Sequence, residues 1–493
     1  MFKLSYYTFI IPVTEKGVYL AYNSFTNALL ELEEHEGEKI LDWKKKGAIP
    51  SSELDSQGKR FVTALLDNHF LVDEEIDEKE RLHRRISDQK ERFWRGPSPM
   101  VLTILPTISC NMGCSYCFEG HKPFGKVMSD EVMDDVAQFV ERELKHSIVV
   151  DSFKEIFVEW YGGEPLLQPQ IIERLSKKLY RIADKNQIPY DSMIITNGTY
   201  LTADIWALLK EARITRVQVT LDGHRDSHNK QRPLVLPIVG QDIEEGSYDT
   251  ILENLKSLPD EMALNIRINS DRTIINSLDN LLDDLEEICL WPQQADRVKL
   301  TLAHKETPYE ESGIVDIESQ YLSLKQQTKA QKLFQDMKFN HYNNWAAKNN
   351  KSMARKRLAY PEPATFVCGS ASMPYSFSIG YDGHINQCME QVNDPQAKSH
   401  YISDTYDIHD PLRQKFLAWD KFLHHPMCTD CKVLPICDMV CPHKDPPEAC
   451  CDWKVDLKSR LKEQYITSID TPHLIESFDE VERQRQKDFT LVI

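Results

Sequence analysis

The chain has 493 residues, which is long enough for two or three domains, and its formal net charge at pH 7 is −18. This acidic balance argues against a nucleic-acid partner, because nucleic-acid phosphates would be repelled. No apolar run is long enough to span a bilayer, and the run Tyr6–Val13 is too short and too poorly flanked for a signal peptide. We therefore expect neither a nucleic acid nor a membrane among the partners.

The first 95 residues form a unit of their own. Val18–Tyr22 predicts a short strand, and Thr26–Glu34 predicts a helix. Lys59–Leu66 predicts a second helix, which precedes the apolar segment His69–Val72. The charged stretch Asp77–Arg95 then predicts a solvated helix or a linker into the central region.

Residues 110 to 117 read CNMGCSYC and place Cys110, Cys114 and Cys117 in a C-x3-C-x2-C loop after the apolar run Val101–Pro106. Thiolates are the soft ligands that iron–sulfur and zinc sites select. A structural zinc site is usually closed by four protein ligands, whereas three ligands leave one position open for a substrate or cofactor. The loop therefore predicts a site that does chemistry. Buried or zinc-binding cysteines with a distant fourth ligand are the alternative.

Strand and helix signals alternate through the central region, and this alternation predicts a parallel sheet with helices packed outside it. The predicted strands are Val101–Thr107, Glu155–Trp160, Met193–Thr196, Arg216–Leu221, Leu264–Asn269 and Val298–Ala303. The predicted helices are Asp130–Lys145, Gln170–Asn186, Ala203–Ala212, Tyr248–Leu258 and Leu278–Cys289. Because six such units are fewer than the eight of a closed barrel, we expect an open, partial (βα)6 barrel of the TIM type, with its chemistry at the carboxyl ends of the strands.

Glycine and polar motifs follow these predicted strands. In chain order they are Gly162-Gly163-Glu164-Pro165, Thr196-Asn197-Gly198, Asp222-Gly223, and the pair Arg267 and Asn269 at the end of the fifth strand. Each motif alone is compatible with a simple turn, because Gly, Asn and Asp are frequent in turns.

Taken in order behind the cysteine loop, these motifs resemble the core of the radical S-adenosylmethionine (SAM) enzymes, including the aromatic Tyr116 before the last cysteine. The resemblance implies that Cys110, Cys114 and Cys117 hold a [4Fe–4S] cluster whose open iron is chelated by SAM. Small glycines let backbone groups approach a ligand, and a carboxylate can receive an ammonium group. The residues that the resemblance places around SAM are Tyr116, Gly162, Gly163, Glu164, Thr196, Asn197, Asp222, Arg267 and Asn269. For Arg267 and Asn269, solvated positions at a strand end are the alternative.

A second group of cysteines lies near the end of the chain. Its members are Cys368, Cys388 in the segment YDGHINQC, the run Cys428-x2-Cys431-x5-Cys437-x3-Cys441, and the pair Cys450-Cys451. A zinc ribbon is one explanation of this spacing. A disulfide framework is disfavoured, because the thiols cluster too tightly for well-formed disulfide geometry. Cys289 stands apart at the end of a predicted amphipathic helix and is expected to belong to the core.

The spacing of this second group resembles the seven-cysteine SPASM extension of radical SAM enzymes, which carries two auxiliary [4Fe–4S] clusters. The resemblance assigns the outer cluster to Cys428, Cys431, Cys437 and either Cys450 or Cys451, and the inner cluster to Cys368, Cys388 and Cys441. Between Cys289 and Cys368 the chain lacks the further cysteine that some relatives supply to the inner cluster. The inner cluster then has an open iron or a ligand other than cysteine. Reduced thiols and labile clusters predict a cytoplasmic protein.

The resemblance also implies a function. A 5′-deoxyadenosyl radical made from SAM would take a hydrogen atom from a peptide or protein, with flavodoxin or ferredoxin as the reductant. Our leading hypothesis is an oxidoreductase-type maturase that installs a thioether or carbon–carbon cross-link in a ribosomally made peptide. The candidate catalytic residues are Glu390 and Tyr116, with Tyr375 and Tyr381 as further radical-quenching candidates.

Two other functions stay open. The first is an anaerobic sulfatase-maturing enzyme that forms formylglycine. In those enzymes, as the resemblance implies, a basic aspartate follows the cysteine that corresponds to Cys388, whereas here Met389 and then Glu390 follow. The second is a non-enzymatic zinc-ribbon scaffold.

The sequence thus predicts an α/β protein in five parts. Residues 1–95 form a small α+β unit that resembles winged-helix peptide-recognition elements, with a plain cap on the barrel as the alternative. Residues 97–305 form the radical SAM core, and 306–365 a helical bridge that contains Lys325–Ala354. Residues 366–455 form the cysteine-rich SPASM domain, and 456–493 a tail.

Overall fold

The structure is a computed structural model. It describes residues 1–55, 59–95, 98–120, 124–146, 153–238, 242–270, 274, 277–304, 364, 368, 375–386, 388–392, 398–404, 422, 425–437, 457–459, 461–462 and 465–466. Cys441, Cys450 and Cys451 lie outside the described residues, as do the predicted bridge apart from Ala364 and most of the predicted tail.

The N-terminal unit contains two small antiparallel sheets, with strand orders β5-β1-β6 and β2-β3-β4 in the described residues. Its strands are β1 (Phe2–Leu4), β2 (Thr8–Val13), β3 (Val18–Asn23), β4 (Ala28–Glu33), β5 (Ala48–Ile49) and β6 (Leu71–Asp73). Its helices are α1 (Glu34–Lys46), α2 (Ser51–Asp55), α3 (Lys59–Asp67) and α4 (Glu78–Arg95). The strand predicted at Val18–Tyr22, the helix at Lys59–Leu66 and the helix alternative for Asp77–Arg95 are confirmed.

The helix predicted at Thr26–Glu34 is wrong, because most of this segment is strand β4. Asn27, with φ of 61°, closes the tight turn from β3, and β4 then pairs with β3 along its whole length. The alternating sequence LLELE fits a strand whose two faces are both in use. The helix begins only after Glu33, whose side chain accepts a bond from the third helical residue, Glu36, while the Glu36 carboxylate accepts one from the Glu33 backbone at 3.0 Å.

The sheet β2-β3-β4 is covered on both faces. Ile10, Ala21 and Leu32 pack with α1 and α3 in one hydrophobic core. The residues between them point the other way and pack against the C-terminal cysteine-containing segment; they include Ile11, Val13, Leu20 and Tyr22. Strand alternation therefore gives this small sheet two separate cores.

The central region forms one large sheet with the strand order β12-β11-β10-β9-β8-β7-β13-β14-β15. The strands are β7 (Ser98–Ile104), β8 (Phe153–Trp160), β9 (Tyr190–Thr196), β10 (Arg216–Thr220), β11 (Ala263–Ser270), β12 (Val298–His304), β13 (Ser376–Ile379), β14 (His384–Asn386) and β15 (Lys398–Tyr401). The helices are α5 (Asp130–His146), α6 (Pro169–Asn186), α7 (Ala203–Glu211), α8 (Arg225–Gln231), α9 (Tyr248–Leu255) and α10 (Leu278–Glu287).

The predicted parallel sheet is confirmed, since β7 to β12 pair in parallel in chain order. Each predicted strand and helix of this region lies within three residues of its predicted bounds. Buried side chains of the strands, such as Leu102, Val158 and Ile194, share one core with Phe139 of α5 and Leu175 of α6. Because the strands run the same way, their carboxyl ends and the loops that follow them meet at one edge.

The strand β13 extends this sheet from the C-terminal part of the chain. It pairs in parallel with β7, and β14 and β15 follow as an antiparallel extension. This pairing brings the segment around Cys388 to the side of the sheet on which the first cysteine loop begins. In the part of the chain that the structure describes, no helix is both long and apolar enough to cross a bilayer.

Candidate active site

The first cysteine loop leaves the carboxyl end of β7 and lies at the edge where the strand-end motifs meet. Cys110 is buried and Cys114 and Cys117 are half-buried, and none of the three is in a disulfide. Backbone bonds shape the loop: the Met112 N–H donates to the Cys110 sulfur at 3.4 Å, and the Cys117 N–H donates to the Cys114 carbonyl at 3.2 Å. The loop is therefore a folded turn with its thiols near the mouth of the sheet.

This donor set fits an iron–sulfur cluster by its chemistry, because three reduced thiols on one loop are what such a cluster requires. Within the described residues no three His, Cys, Asp or Glu side chains are arranged to hold a metal ion in this conformation. The fit therefore rests on the identity and position of the thiols. The loop is also near three polar neighbours, since Cys110, Cys114 and Cys117 act electrostatically on Tyr200, Arg232 and Tyr161 respectively.

The glycine motif packs directly against this loop. A Cβ atom on Gly163 would lie 2.6 Å from the Ser109 carbonyl carbon and closer still to the carbonyl oxygens of Ile108 and Ser109. Gly162 has φ of 130°, a conformation that L side chains rarely adopt, and its Cβ would overlap the Thr107 carbonyl oxygen. Backbone bonds join the same segments, from Gly163 N to Thr107 O at 3.2 Å and from Glu164 N to Ser109 O at 2.8 Å. The close approach that the glycines permit here is to the protein's own backbone.

Glu164 is fully buried and lies under the loop as a polar anchor. Its Oε1 atom accepts bonds from the Leu166 N–H at 2.9 Å and the Thr196 hydroxyl at 2.7 Å. Its Oε2 atom accepts a bond from the Asn197 N–H at 2.7 Å. Burial raises the pKa of Glu164, and these donors act in the opposite direction. The carboxylate thus ties the end of β8 to the end of β9.

Asn197 continues this anchor to the cysteine loop. Its side-chain amide donates to the Asn111 side chain at 2.7 Å, and Asn111 donates to the Thr199 hydroxyl at 3.1 Å. Asn111 is fully buried directly after Cys110. Sequence reasoning did not select Asn111, although its position between two ligand candidates was a usable signal. This network fixes the backbone at Cys110 relative to β9.

A second network surrounds Tyr116. Its hydroxyl donates to Asp222 Oδ2 and accepts bonds from Arg232 Nη1 at 2.7 Å and Asn269 Nδ2 at 3.1 Å. The Asn269 backbone N–H donates to Asp222 Oδ1 at 2.9 Å, and Arg267 Nε donates to Asn269 Oδ1 at 2.9 Å. Three predicted site residues, Tyr116, Asp222 and Asn269, therefore meet at one phenol oxygen, and the fourth, Arg267, joins them through Asn269. Arg232, which sequence reasoning missed because no motif surrounds it, completes the group.

Burial shifts the pKa values of the groups in this network. Desolvation raises the pKa of Tyr116, so its hydroxyl stays protonated and donates to Asp222. Burial alone would lower the pKa of Arg232, but Cys114, Tyr116 and Asp222 together raise it well above its usual value. Arg232 is therefore a buried, permanent cation beside the cysteine loop. Such a cation favours anionic groups, including thiolates and a ligand carboxylate.

An acidic side chain, Glu159 of β8, and a phenolic one, Tyr161 directly after β8, line the same region. Burial raises the pKa of Glu159, whose Oε2 atom accepts a bond from the Thr103 hydroxyl at 3.0 Å. Burial likewise raises the pKa of Tyr161, which is near Cys117, Glu159 and Arg267. Neither residue was selected from the sequence, because neither the strand position of Glu159 nor the position of Tyr161 after the strand belongs to a recognised motif. Their nearness to the glycine motif was the signal available.

The C-terminal candidates fall in two places. Cys388 is half-buried before a short 3-10 helix, and Val392, at the end of that helix, packs against Leu105 and Ile108, which lead into the first cysteine loop. Glu390 is exposed on this helix. Cys368 is half-buried and is not in a disulfide. Cys428, Cys431 and Cys437 lie instead beside the N-terminal unit.

Comparison with known proteins agrees with the central motifs. Residues 104–273 match the profile of the Radical SAM superfamily. This stretch contains the cysteine loop and the strand-end motifs from Gly162 to Asn269, so the resemblance inferred from those motifs is confirmed. The family implies a [4Fe–4S] cluster and SAM as cofactors.

Curated relatives are distant. The radical SAM cyclopropyl synthase TigE of Paramaledivibacter caminithermalis is 24% identical over 223 residues, which are 42% of this chain and 46% of that protein. A serine-type anaerobic sulfatase-maturating enzyme of Bacteroides thetaiotaomicron is 27% identical over 136 residues, which are 27% of this chain and 32% of that enzyme. The matches therefore span less than half the length of either relative.

A solved structure, native anSMEcpe with bound AdoMet, shares the fold. It has a TM-score of 0.54 at 20% identity, and the alignment covers 76% of this chain and 98% of that one. At this level of identity the likeness concerns the fold alone.

Proposed function

Because residues 104–273 are a radical SAM domain, we propose that this protein is a radical SAM enzyme that modifies a ribosomally made peptide, by a thioether or carbon–carbon cross-link or a related change at a C–H bond. The observation that carries the enzymatic part is the cysteine loop, with three thiols held at the carboxyl edge of the sheet by Glu164, Asn197 and Asn111. When bound, the cluster and SAM supply a 5′-deoxyadenosyl radical that removes a hydrogen atom from the substrate.

The chain's own residues would orient these groups and exclude water. Cys110, Cys114 and Cys117 would ligate the cluster, and the Gly162–Gly163 turn packs against the residues that lead into their loop. Arg232 would offer its buried positive charge to the carboxylate of SAM. The network of Tyr116, Asp222 and Asn269 would hold the ribose and adenine end, with the Tyr116 hydroxyl fixed in a donor role toward Asp222. Burial of these groups limits side reactions with solvent.

A peptide is the substrate class that the rest of the chain favours. The N-terminal sheet β2-β3-β4 has both faces covered, so its edge strands are what it offers to an extended peptide by strand addition. One curated relative is named a cyclopropyl synthase, and the solved anSMEcpe structure has also been obtained with a Cp18Cys peptide. The acidic balance of the chain favours a basic precursor, whose binding would weaken as salt rises. Flavodoxin or ferredoxin is the proposed reductant.

Sulfatase maturation is the second candidate, because a curated relative with 27% identity is such an enzyme. Against it stands the segment after Cys388, where Met389 occupies the place of the aspartate expected in those enzymes. Glu390, one place later, is exposed on its short helix. Incubating the reconstituted enzyme with a sulfatase peptide and searching for formylglycine separates the two candidates.

The main test replaces Cys110, Cys114 and Cys117 together by Ala. We expect the triple variant to lose reductive cleavage of SAM to 5′-deoxyadenosine, because the loop then has no thiolate. Cys289 is exposed beyond the end of α10, so the expectation that it belongs to the core is wrong. Replacing it by Ala is the matched control and should leave cleavage unchanged. Deoxyadenosine formed by the triple variant at the wild-type rate would refute the proposal.

Iron analysis tests the cofactor content. The proposed three [4Fe–4S] clusters, one in the core and two auxiliary, predict about twelve irons per chain, of which the triple variant should keep about eight. About four irons together with zinc would support the core cluster and reject the auxiliary assignment of Cys368, Cys388, Cys428, Cys431, Cys437, Cys441 and Cys450 or Cys451.

A further inference from the structure

The segment Pro426–Cys437 is held by the N-terminal unit, more than three hundred residues away in sequence. Cys428 and Cys437 are buried in one hydrophobic core with Tyr7, Tyr22 and Leu82. The same core contains Val433, Leu434 and Ile436 from the cysteine segment and Ile11, Val13, Leu20 and Ile86 from the N-terminal unit. The two parts of the chain therefore share an interior, and neither keeps that interior covered without the other.

Two hydrogen bonds reach the carbonyl groups of the residues on either side of Cys431. The Tyr6 hydroxyl donates to the Asp430 carbonyl oxygen at 2.7 Å, on one side of the cysteine. The Ser24 hydroxyl donates to the Lys432 carbonyl oxygen on the other side. Both donors come from the N-terminal unit, so the backbone that carries Cys431 is fixed from both sides.

Contacts of charged side chains add to these two hydrogen bonds, and together they form a clamp on Asp430–Lys432. Lys79, in the first turn of α4, pairs with the Asp430 carboxylate, and the Lys432 ammonium lies 4.7 Å from the centre of the Tyr6 ring. The Tyr6 backbone is itself pinned, because its N–H donates to Glu78 Oε2 at 2.8 Å and the Ser5 hydroxyl donates to Glu78 Oε1 at 2.5 Å. Glu78 is buried, so this anchor is shielded from solvent.

The cysteine segment has its own local shape within the clamp. The Cys431 N–H donates to the Cys428 carbonyl at 2.9 Å, and the Leu434 N–H donates to the Cys431 carbonyl at 3.1 Å. A C-x2-C turn of this kind presents two thiols to one side, and Cys437 follows after a further turn. Ligands of a metal site need such support, because the groups around a ligand fix its orientation and tune its affinity.

We propose that the N-terminal unit is the positioning element for the C-terminal cysteine site, with Tyr6 and Ser24 holding the Cys428–Cys431 turn in place for a thiolate-bound cluster. The identity of that cluster as the outer auxiliary one rests on the proposed function. The positioning itself concerns the chain alone and does not depend on which metal binds. A unit that recognises a peptide would, by this arrangement, also be the unit that keeps the cysteine site closed.

The test uses the full chain with Tyr6→Phe and Ser24→Ala combined, which removes two hydroxyl groups and little volume. Alkylation of the metal-free protein under native conditions, followed residue by residue by mass spectrometry, reports the opening of the segment, with the exposed Cys289 as internal reference. The loss of two ordinary hydrogen bonds predicts alkylation of Cys428, Cys431 and Cys437 about 30-fold faster, and Ser24→Ala alone about 5-fold faster. The matched control combines Tyr19→Phe and Thr14→Ala: Tyr19 lies in the same sheet and packs toward the other core, and Thr14 is exposed in the turn after β2.

A second readout is metal content after reconstitution. We expect the Tyr6–Ser24 variant to lose about four irons per chain, or the equivalent zinc, and to retain SAM cleavage by the core site. Alkylation rates and metal content equal to those of the control variant would overturn the positioning role. If the wild-type protein holds zinc at this segment and the variant loses it, the positioning role stands and the auxiliary-cluster part of the proposed function fails. Circular dichroism of each variant verifies that it is folded.

Discussion

Replacing Gly163 by Ala tests which of two requirements explains the glycine at this position of the Gly162-Gly163-Glu164-Pro165 motif. A glycine needed for ligand approach and a glycine needed for internal packing both occur in proteins. The added Cβ would lie 2.6 Å from the Ser109 carbonyl carbon, well inside the ordinary carbon contact distance of about 3.5–4.0 Å. Its neighbours are backbone atoms, which cannot turn away as a side chain can. The turn and the cysteine loop must therefore move apart by about 1 Å.

The structure gives the size of the effect. Moving the turn breaks the bonds from Gly163 N to Thr107 O and from Glu164 N to Ser109 O, which cost about 1 kcal/mol each. Overpacking adds about 1–3 kcal/mol, so the free energy of unfolding should fall by about 3–5 kcal/mol. For a domain of this size that corresponds to a fall in Tm on the order of 10 °C.

The assay is thermal unfolding of the metal-free protein, followed by near-ultraviolet circular dichroism. Gly120→Ala is the control in the same region, because its φ is 57° but no atom of the described residues lies within 4 Å of the added Cβ. It should cost about 1–2 kcal/mol for the left-handed backbone, partly offset by the lower entropy of the unfolded chain. A Gly163→Ala protein that melts no lower than Gly120→Ala, yet fails to bind SAM after reconstitution, would show that the glycine serves the ligand and would refute the packing argument.

Two further predictions concern the buried polar networks. Tyr116→Phe removes a hydroxyl that bonds to Asp222, Arg232 and Asn269, so we expect the free energy of unfolding in urea to fall by about 2–3 kcal/mol. The control Tyr200→Phe should cause almost no change, because the Tyr200 hydroxyl has no hydrogen-bond partner among the described residues. Equal midpoints for the two variants would contradict this network. Burial, and then Arg232, lower the pKa of His228 well below its usual 6.5, so the folded state keeps this ring neutral while the unfolded state takes up a proton. Stability from this residue is present above pH 6.5 and should fall as the pH drops below 6.5, by at most about 1.4 kcal/mol at pH 5.5. His228→Asn should remove that part of the pH dependence and the exposed His35→Asn should not; an unchanged slope in the His228 variant would argue against a buried neutral ring.

The sequence alone determined the central fold to within a few residues, because its two kinds of signal are local. Amphipathic helices such as Pro169–Asn186 and β-branched strands such as Ala263–Ser270 each bury one pattern of side chains, and that pattern is readable along the chain. The cysteine loop and the glycine motif were equally readable, because ligand identity and left-handed backbone both restrict the residue type. The family resemblance followed from their order and is confirmed.

Contacts between distant segments were decided by tertiary structure. The segment at Ala28–Glu33 has helix-forming residues, but pairing with β3 and burial of both faces make it a strand. Arg232 has no local motif, and only the folding of the loop after α8 brings its guanidinium to the Tyr116 hydroxyl. The pairing of β13 with β7, and the Tyr6 and Ser24 bonds around Cys431, likewise join residues hundreds of positions apart. A single sequence shows the residue type of each partner but not which residues will be in contact, because burial energy and hydrogen-bond geometry are properties of the packed chain.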